Sequence, residues 1–310
     1  MNQVITENNV ELLERVESLS RWIGDTPLFP LNSFSSATVK IYAKLEWQQI
    51  GGSVKSRPAY NMLRRGVISG NLQPHHTILD ATSGNTGIAL ATLAASLGLK
   101  IKLIMPENAS KMRQLILKKL GAELVLSSPY GGTDESRQVA LDFYSKMDIP
   151  YFYSDQYNND NNWKAHYLTT APEIWRQSSG EITHFIAGLG TTGSFTGTTR
   201  KLKEYNKNIQ CIALQPDGPL HGLEGWKHLE TAEIPGIYDP KAPDKILEVS
   251  SYDAFKMIDL VAKKEGLLIS PSAAANLVGA LEVAKTVDRG HIVTIFADDA
   301  SKYQEALKKQ

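Results

Sequence analysis

The chain has 310 residues, of which 42% are hydrophobic and 21% are charged, a composition typical of globular proteins. Because single hydrophobic cores stop growing at roughly 250 to 300 residues, this length favours two domains. The 33 basic residues balance the 33 acidic residues, which removes any electrostatic reason to expect binding to nucleic acid or to an anionic membrane.

From Val39 to the middle of the chain, short β-rich runs alternate with segments of helical period. The runs are TVKIYAKLE, HTILDA, KIKLIMP, ELVLSS and YFYSDQ, and the helical segments include NTGIALATLAASLGL, SKMRQLILKKLGA and DESRQVALDFYSKM. Pro58 suits the first turn of a helix, where its missing N–H would be unpaired, and Ser110 suits a helix N-cap. Such alternation predicts parallel strands joined by helices.

The same alternation resumes after the Asn-rich loop at 158–162, with THFIAGLG, a helix to Tyr205, QCIALQP and, near the end, HIVTIF. The segment 216–243 is rich in proline and glycine and predicts a long ordered loop, in which WKHLE is a candidate short helix. We therefore expect an α/β fold of two domains, each with a mainly parallel twisted sheet flanked by helices, and a site in the cleft between them.

The only cysteine, Cys211, lies in an apolar run, which favours a structural role. A single cysteine excludes an internal disulfide and a cysteine-rich metal site, and we expect no metal. No basic start followed by an apolar run suggests a signal peptide, and no apolar stretch approaches the roughly 18 residues of a membrane span. We expect a cytoplasmic protein whose partners are small molecules or a second copy of itself.

A glycine-rich segment at 187–197, AGLGTTGSFTG, follows an apolar strand and begins a helix. Backbone N–H groups and the positive helix N-terminus could hold a phosphate there without basic side chains. The segment also contains G-x-G-x-x-G at Gly188, Gly190 and Gly193, and Asp217 follows the next strand, so a dinucleotide site is an alternative. A turn whose glycines serve only packing is another.

A second loop of this kind, ATSGNTGIALA at 81–91, offers hydroxyl and amide side chains beside backbone N–H groups, which suits a carboxylate; alone, it could be a well-capped helix start. Lys55 lies in the turn GGSVKSRPA, whereas most lysines lie on solvated surfaces. Two anion sites and a lysine held in a turn favour a phosphate-bearing aldehyde cofactor bonded to Lys55, because a dinucleotide leaves the lysine and the second loop unexplained.

The motifs GGSVKSRPA, TSGNTGIALA, GLGTTGSFTG and SPSAAANLVGALEVA occur in the order and spacing of the pyridoxal-phosphate enzymes of the tryptophan-synthase-β fold type. The chain resembles this family from Ile23 to the ADDASKY segment, and most closely the B-type branch of the cysteine synthases. The resemblance implies fold type II, pyridoxal 5'-phosphate as cofactor and a homodimer. It also implies a large cofactor-binding domain, 1–48 plus 160–310, and a smaller mobile domain, 49–159, with the lysine and the substrate-carboxylate loop.

The resemblance makes Lys55 the catalytic residue, which bonds the cofactor and then acts as the base. Asn85 matches the residue that hydrogen-bonds the ring hydroxyl. The residues that match the phosphate-binding positions are Gly190, Thr191, Thr192, Gly193 and Ser194. Those that match the substrate-carboxylate site are Thr82, Ser83, Gly84, Thr86 and Gln156.

Ser272 matches the serine that faces the pyridine nitrogen. A neutral hydroxyl leaves the ring a weaker electron sink than a carboxylate would, which favours elimination of a β-substituent. A helix N-cap is a second role that Ser272 could fill.

The activity implied is β-replacement that forms L-cysteine from O-acetyl-L-serine and a sulfur donor via an aminoacrylate intermediate. Lys227, in HGLEGWKHLE beside His221 and His228, is a candidate to bind a phosphate leaving group, so an O-phosphoserine sulfhydrylase is an alternative. Cystathionine β-synthase or another β-replacement enzyme is a further alternative. More distant ones are an NAD-dependent oxidoreductase and a catalytically silent binding protein.

Three segments depart from the family pattern. Ser56 stands where aspartate is common, NNDNN at 158–162 replaces a usual Asn-Pro, and PSAAA at 271–275 replaces ISSGA. We expect each departure to retain cofactor binding and to shift substrate preference.

Overall fold

The computed structural model describes residues 7–82, 84–146 and 149–303. The strands are β1 (Leu28–Pro30), β2 (Val39–Leu45), β3 (Thr77–Ala81), β4 (Lys100–Pro106), β5 (Glu123–Ser127), β6 (Tyr151–Tyr153), β7 (His184–Gly188), β8 (Gln210–Pro216), β9 (Lys245–Val249) and β10 (Gly290–Phe296). The α-helices are α1 (Glu7–Ser18), α2 (Ser56–Ile68), α3 (Asn85–Leu97), α4 (Lys111–Lys119), α5 (Gly132–Lys146), α6 (Asn161–Leu168), α7 (Thr170–Gln177), α8 (Gly193–Tyr205), α9 (Ser251–Glu265) and α10 (Pro271–Ala284).

The chain divides into two compact units. Unit 1 comprises the residues up to Ile23 and Lys55–Asn162, and unit 2 comprises Gly24–Val54 and the residues from Trp163 onward. The sequence predicted a large domain of 1–48 plus 160–310 and a smaller domain of 49–159. The structure differs in that α1, predicted to lie in the large domain, belongs to unit 1 with most of 49–159. The assignment of a cofactor-binding domain and a mobile domain stays a prediction.

Unit 1 is built on a parallel sheet of order β5-β4-β3-β6. Its central strand β4 is buried at every position except Lys100, as expected for a strand covered on both faces. Helix α3 is also apolar on most of its surface and packs into the same core as Leu103 and Ile78. Gly87 allows this close approach, because a Cβ there would lie 2.7 Å from Thr82 Cγ2. Helix α3 therefore packs closely against the end of β3.

Unit 2 is built on a sheet of order β1-β2-β10-β7-β8-β9, in which only the β1–β2 pair is antiparallel. Buried aliphatic side chains from β2, β7, β8 and β10 meet the apolar face of α10 in one core. Each such side chain contributes roughly 1.5 to 3 kcal/mol when fully buried. The prediction of an α/β fold with mainly parallel sheets is confirmed.

Two local predictions in unit 2 need correction. The segment WKHLE is not helical, and the described chain between β8 and β9 is irregular. Strand β9, KILEV, was not predicted because it is an edge strand with a largely exposed or half-exposed pattern and no apolar period. Within the described residues, no helix is long and apolar enough to cross a membrane.

Candidate functional site

The turn that precedes Lys55 is held by hydrogen bonds from distant parts of unit 2. Gly52 has a φ of 61°, in the region that favours glycine, and its carbonyl accepts a hydrogen bond from Lys302 Nζ at 2.6 Å. The backbone N–H of Val54 donates to the carbonyl of Ala297 at 2.8 Å. Lys55 follows directly as the half-buried N-cap residue of α2. The turn before α2 is therefore bonded to distant parts of unit 2.

In unit 1, the loop after β3 leads into α3. Gly84 is the N-cap residue of α3, and its backbone N–H donates to Thr82 Oγ1 at 3.2 Å. The first N–H groups of a helix have no partner within the helix and carry its partial positive charge, so this loop has the donors that a carboxylate needs. Asn85, the first residue of α3, is half-buried. Ser83, which was also predicted to bind the substrate carboxylate, lies outside the described residues.

Gln156 joins this loop from the segment after β6. Thr86 Oγ1 donates to Gln156 Oε1 at 2.7 Å, and Gln156 Nε2 donates to the carbonyl of Ala81 at 3.3 Å. The structure therefore brings together Thr86 and Gln156, two residues 70 positions apart that the sequence assigned to one carboxylate site. Asn162, from the NNDNN segment, donates to the carbonyl of Gln156 at 2.6 Å and so holds its backbone.

A buried carboxyl that the sequence analysis missed lies beneath this site. Asp80 is 1% exposed at the end of β3, accepts a hydrogen bond from the N–H of Ala81 at 2.6 Å and accepts another from Ser154 Oγ. Burial raises the pKa of Asp80 to about 7, and the charge of Asp155 adds to this shift, whereas hydrogen bonds from Ser154 and Ala81 oppose it. Asp80 thereby connects β3, the strand that directly precedes Thr82, to the segment that carries Gln156. The sequence feature that could have identified Asp80 is its position as the one carboxylate in the apolar run TILDA.

In unit 2, the glycine-rich loop forms the start of α8. Thr192 is the N-cap residue, with a φ of 70°, and its buried hydroxyl has no hydrogen-bond partner among the described residues. Thr191 Oγ1 accepts a hydrogen bond from the N–H of Gly193 at 3.4 Å. Gly190 must be glycine because a Cβ there would lie 2.0 Å from the carbonyl oxygen of Gly225.

This donor set fits a phosphate. A neutral loop at a helix N-terminus supplies several backbone N–H groups, and the unpartnered Thr192 hydroxyl supplies one more donor. The half-buried Ser194 lies in the first turn of α8 and adds a second hydroxyl there. The residues present are therefore compatible with the phosphate of pyridoxal 5'-phosphate.

Lys227 is connected to the same loop through its backbone. Its N–H donates to the carbonyl of Leu189 at 2.7 Å, while its side-chain Nζ lies 3.5 Å from the carbonyl oxygen of Glu233. Burial and the neighbouring His228 lower the pKa of His221. These effects disfavour the charged form of His221.

Ser272 lies at the start of α10, but it is not the helix cap. The N-cap is Ser270, whose side chain accepts a hydrogen bond from the N–H of Ala273 at 3.2 Å. Ser272 is buried inside the first turn, and its hydroxyl lies 3.1 Å from that of Ser270. The capping role considered for Ser272 is thus wrong, and its hydroxyl instead pairs with a second one that the sequence analysis did not select.

The departure at Ser56 places a buried hydroxyl next to Lys55. Ser56 is 1% exposed, and its Oγ has no hydrogen-bond partner among the described residues.

Among the described residues no group of three or more His, Cys, Asp or Glu side chains could hold a metal ion.

Comparison with known proteins places the chain in a family. Residues 19–298 match the family of pyridoxal-phosphate dependent enzymes. The chain is 42% identical over 308 residues to the cysteine synthase of Aquifex aeolicus, an alignment that covers 97% of this chain and 94% of that protein. It is 36% identical over 295 residues to the O-acetylserine dependent cystathionine beta-synthase of Bacillus subtilis, covering 93% of this chain and 96% of that protein.

The fold agrees with these relationships. The crystal structure of cysteine synthase from Entamoeba histolytica superposes with a TM-score of 0.87 at 30% identity, covering 100% of this chain and 93% of that chain. The predicted fold type is therefore confirmed, together with the predicted cofactor. Because the family model covers residues 19–298 and a cysteine synthase is 42% identical over 97% of the chain, the chain belongs to the family of pyridoxal-phosphate dependent enzymes.

Proposed function

We propose that this enzyme is a cysteine synthase that forms L-cysteine from O-acetyl-L-serine and a sulfur donor. The observation that carries the proposal is the identity to a cysteine synthase over nearly the full length of both chains. The neutral phosphate-type loop and the hydroxyl of Ser272 support it, because both suit pyridoxal 5'-phosphate in β-replacement chemistry.

Lys55 is the residue proposed to bond the cofactor and to move the substrate's α-proton. When bound, pyridoxal 5'-phosphate withdraws electrons from the α-carbon, so that this proton can leave and the β-substituent can depart. Lys55 accepts the α-proton and later returns it to the same carbon, and a base so positioned typically contributes 10² to 10⁴ in rate. The position of Lys55 supports this role, because it is half-buried at the N-cap of α2, directly after a hydrogen-bonded turn.

The phosphate is proposed to lie at the start of α8, bound by Gly190, Thr191, Thr192, Gly193 and Ser194. The unpartnered hydroxyl of Thr192 supports this proposal, since a buried hydroxyl without a partner costs free energy until a ligand satisfies it. Asn85 is proposed to bind the ring hydroxyl, and Ser272 to face the ring nitrogen with a neutral donor or acceptor. Both remain assignments by resemblance.

The substrate carboxylate is proposed to bind at the start of α3. The residues proposed to line this site by resemblance are Thr82, Ser83, Gly84, Thr86 and Gln156, and the donors proposed for the carboxylate are the backbone N–H groups in the first turn of α3. The contact between Thr86 and Gln156 supports this grouping, because it orients both side chains before the substrate arrives. The helix N-terminus adds favourable charge for a carboxylate.

The leaving group is proposed to be acetate. A phosphate leaving group needs nearby cations. In the segment proposed for it, burial and the neighbouring His228 lower the pKa of His221 and so disfavour its charged form, and the Nζ of Lys227 lies 3.5 Å from the carbonyl oxygen of Glu233. A neutral acetyl ester fits these surroundings better than a phosphate dianion does.

The test is an assay of cysteine formation by the purified holoenzyme with sulfide and either O-acetylserine or O-phosphoserine. We expect cysteine from O-acetylserine, little from O-phosphoserine, and loss of activity in Lys55→Ala. The matched control Lys227→Met should keep O-acetylserine activity within about twofold. Efficient use of O-phosphoserine that disappears in Lys227→Met would reverse the assignment of the leaving group, and a holoenzyme that makes no cysteine from either ester would refute the function.

Cystathionine formation is a second candidate, favoured by the identity to the Bacillus subtilis protein. Here the nucleophile would be homocysteine in place of sulfide. Replacing sulfide by homocysteine in the same assay, with O-acetylserine held constant, compares the two nucleophiles directly. A higher kcat/KM with homocysteine would select this candidate.

The enzyme is further proposed to act as a cytoplasmic homodimer, as its family resemblance implies. Light scattering coupled to size-exclusion chromatography measures the assembly. A mass near twice the 34.2 kDa of the chain supports the dimer, and a mass near 34.2 kDa refutes it.

A further inference from the structure

A single buried amide on α10 connects two strands of unit 2. Asn276 is 3% exposed, although most of its helix is apolar. Its Oδ1 accepts a hydrogen bond from the backbone N–H of Gly188 at 2.8 Å. Its Nδ2 donates to the backbone carbonyl of Ile295 at 2.6 Å. The oxygen and the nitrogen of the amide therefore bond to backbone groups of two different strands.

These contacts lie where the pairing of β7 and β10 ends. The two strands are paired in parallel from Ile292 and His184 to Thr294 and Ile186. Both strands continue for two residues beyond that last pair. The amide of Asn276 reaches across this continuation and pairs with the N–H of the half-buried Gly188 and the carbonyl of the buried Ile295, both beyond the last pair of the ladder.

Asn276 also lies between two parts of the proposed cofactor site. Gly188 is the first glycine of the glycine-rich loop that leads to Thr192, and Ser272 lies four residues before Asn276 on α10, one helical turn away. Asn276, which bonds to the loop, therefore lies on the same face of α10 as Ser272, which is proposed to contact the cofactor ring.

We propose that Asn276 is a positioning residue, which fixes the glycine-rich loop relative to Ser272 and thereby sets the affinity and orientation of pyridoxal 5'-phosphate. One rigid ligand contacts both the loop and Ser272, so a shift of one against the other weakens both contacts. The inference depends on the assignment of these residues to the cofactor, but not on which amino acid the enzyme converts.

The test compares Asn276→Leu with Thr294→Val. The first removes both hydrogen bonds and keeps the γ-branched shape of the side chain, with two larger methyl groups in place of the amide oxygen and nitrogen. The second removes the hydrogen bond from Thr294 Oγ1 to the carbonyl of Ile186, which measures 2.8 Å and joins the same two strands at their last pair. The control thus loses a buried bond between β7 and β10 that involves neither α10 nor the loop.

Each apoprotein is titrated with pyridoxal 5'-phosphate, followed by absorbance, and the phosphorus NMR resonance of each holoprotein is recorded. We expect the dissociation constant to rise at least tenfold in Asn276→Leu, with a displaced or broadened resonance, and to stay within twofold of wild type in Thr294→Val. The proposal would be overturned if both variants bound the cofactor as tightly as wild type, or if both bound it more weakly by the same factor. In either case the Asn276 amide would have no role in cofactor binding beyond that of any buried hydrogen bond between these strands.

Asn276→Asp keeps the measurement possible if the leucine variant does not fold. Its carboxylate still accepts from Gly188 N–H but cannot donate to the carbonyl of Ile295. We expect an intermediate rise in the dissociation constant, and wild-type affinity in this variant would refute the role of the Ile295 contact. Because these readouts need no substrate, a holoenzyme that made no cysteine would refute the proposed function without deciding the role of Asn276.

Discussion

Replacing Asp80 by asparagine should change how the stability of the protein depends on pH. Burial raises the pKa of this carboxyl from 3.8 to about 7 in the folded protein. Between those two pH values the native state binds the proton that the unfolded chain releases. The stability that comes from the protonated acid is therefore complete below about pH 4 and is lost as the pH rises through about 7.

The size of the effect follows from the shift. A shift of about three pH units, at about 1.36 kcal/mol per unit, gives an upper value of about 4 kcal/mol for the stability that wild type loses on ionising Asp80. The side chain introduced by Asp80→Asn stays neutral at every pH. Its amide can accept from the N–H of Ala81 and donate to Ser154 Oγ, which copies the protonated acid.

Urea unfolding of wild type and Asp80→Asn from pH 4.5 to pH 8.5 measures the difference. We expect the free energy of unfolding of wild type to fall relative to the variant by several kcal/mol over this range. The exposed Asp142 provides the control, because Asp142→Asn changes a carboxylate on the surface of α5. Wild-type and Asp80→Asn curves that stay parallel across the range would show that Asp80 is already ionised in the native protein at low pH.

Three further substitutions test the packing and polar contacts of unit 2. Gly197→Ala should destabilise the protein by about 1 to 3 kcal/mol in thermal or urea unfolding, because the new Cβ would lie 2.0 Å from the backbone oxygen of Trp163. An unchanged stability would show that α6 and α8 can separate without cost. Lys44→Met should destabilise the protein by about 3 to 5 kcal/mol in the same assay, since it removes the fully buried ammonium that lies 2.7 Å from the Glu173 carboxylate. An unchanged stability would show that this ion pair contributes nothing to the folded state. Ser270→Ala should cost about 0.5 to 2 kcal/mol through loss of the α10 N-cap, whereas Ser270→Asn should restore most of that loss, and equal losses in both would contradict the capping role.

The features that the sequence predicted well have local signals. Apolar strands, helices of regular period and glycine-rich loops are readable within ten to fifteen residues. The assignment of Thr86 and Gln156 to one carboxylate site came through the resemblance to a family and stays a prediction, whereas their hydrogen bond was found only in the structure. Strand β9 was missed because it lies at a sheet edge, where burial imposes little pattern.

The polar contacts that support the site were harder to predict because they depend on tertiary structure. Asn276 bonds to residues 88 and 19 positions away, and nothing in SAAANLVGALEVA indicates which backbone groups meet its amide. The capping role went to Ser270 instead of Ser272, since a shift of two residues in the helix start decides which hydroxyl lies outside the helix. Sequence patterns locate elements to within a few residues, and a cap requires a single position.

The loop from Gly188 to Ser194 contains no charged side chain. A phosphate held there would be bound through short-range hydrogen bonds and a helix terminus, not through paired ionic charges whose attraction extends over a Debye length. Loading of the enzyme with its cofactor should therefore change little with ionic strength. The same neutrality means that polyanions such as nucleotides gain no long-range attraction to this loop, so a phosphate bound there would be selected by shape and hydrogen bonding.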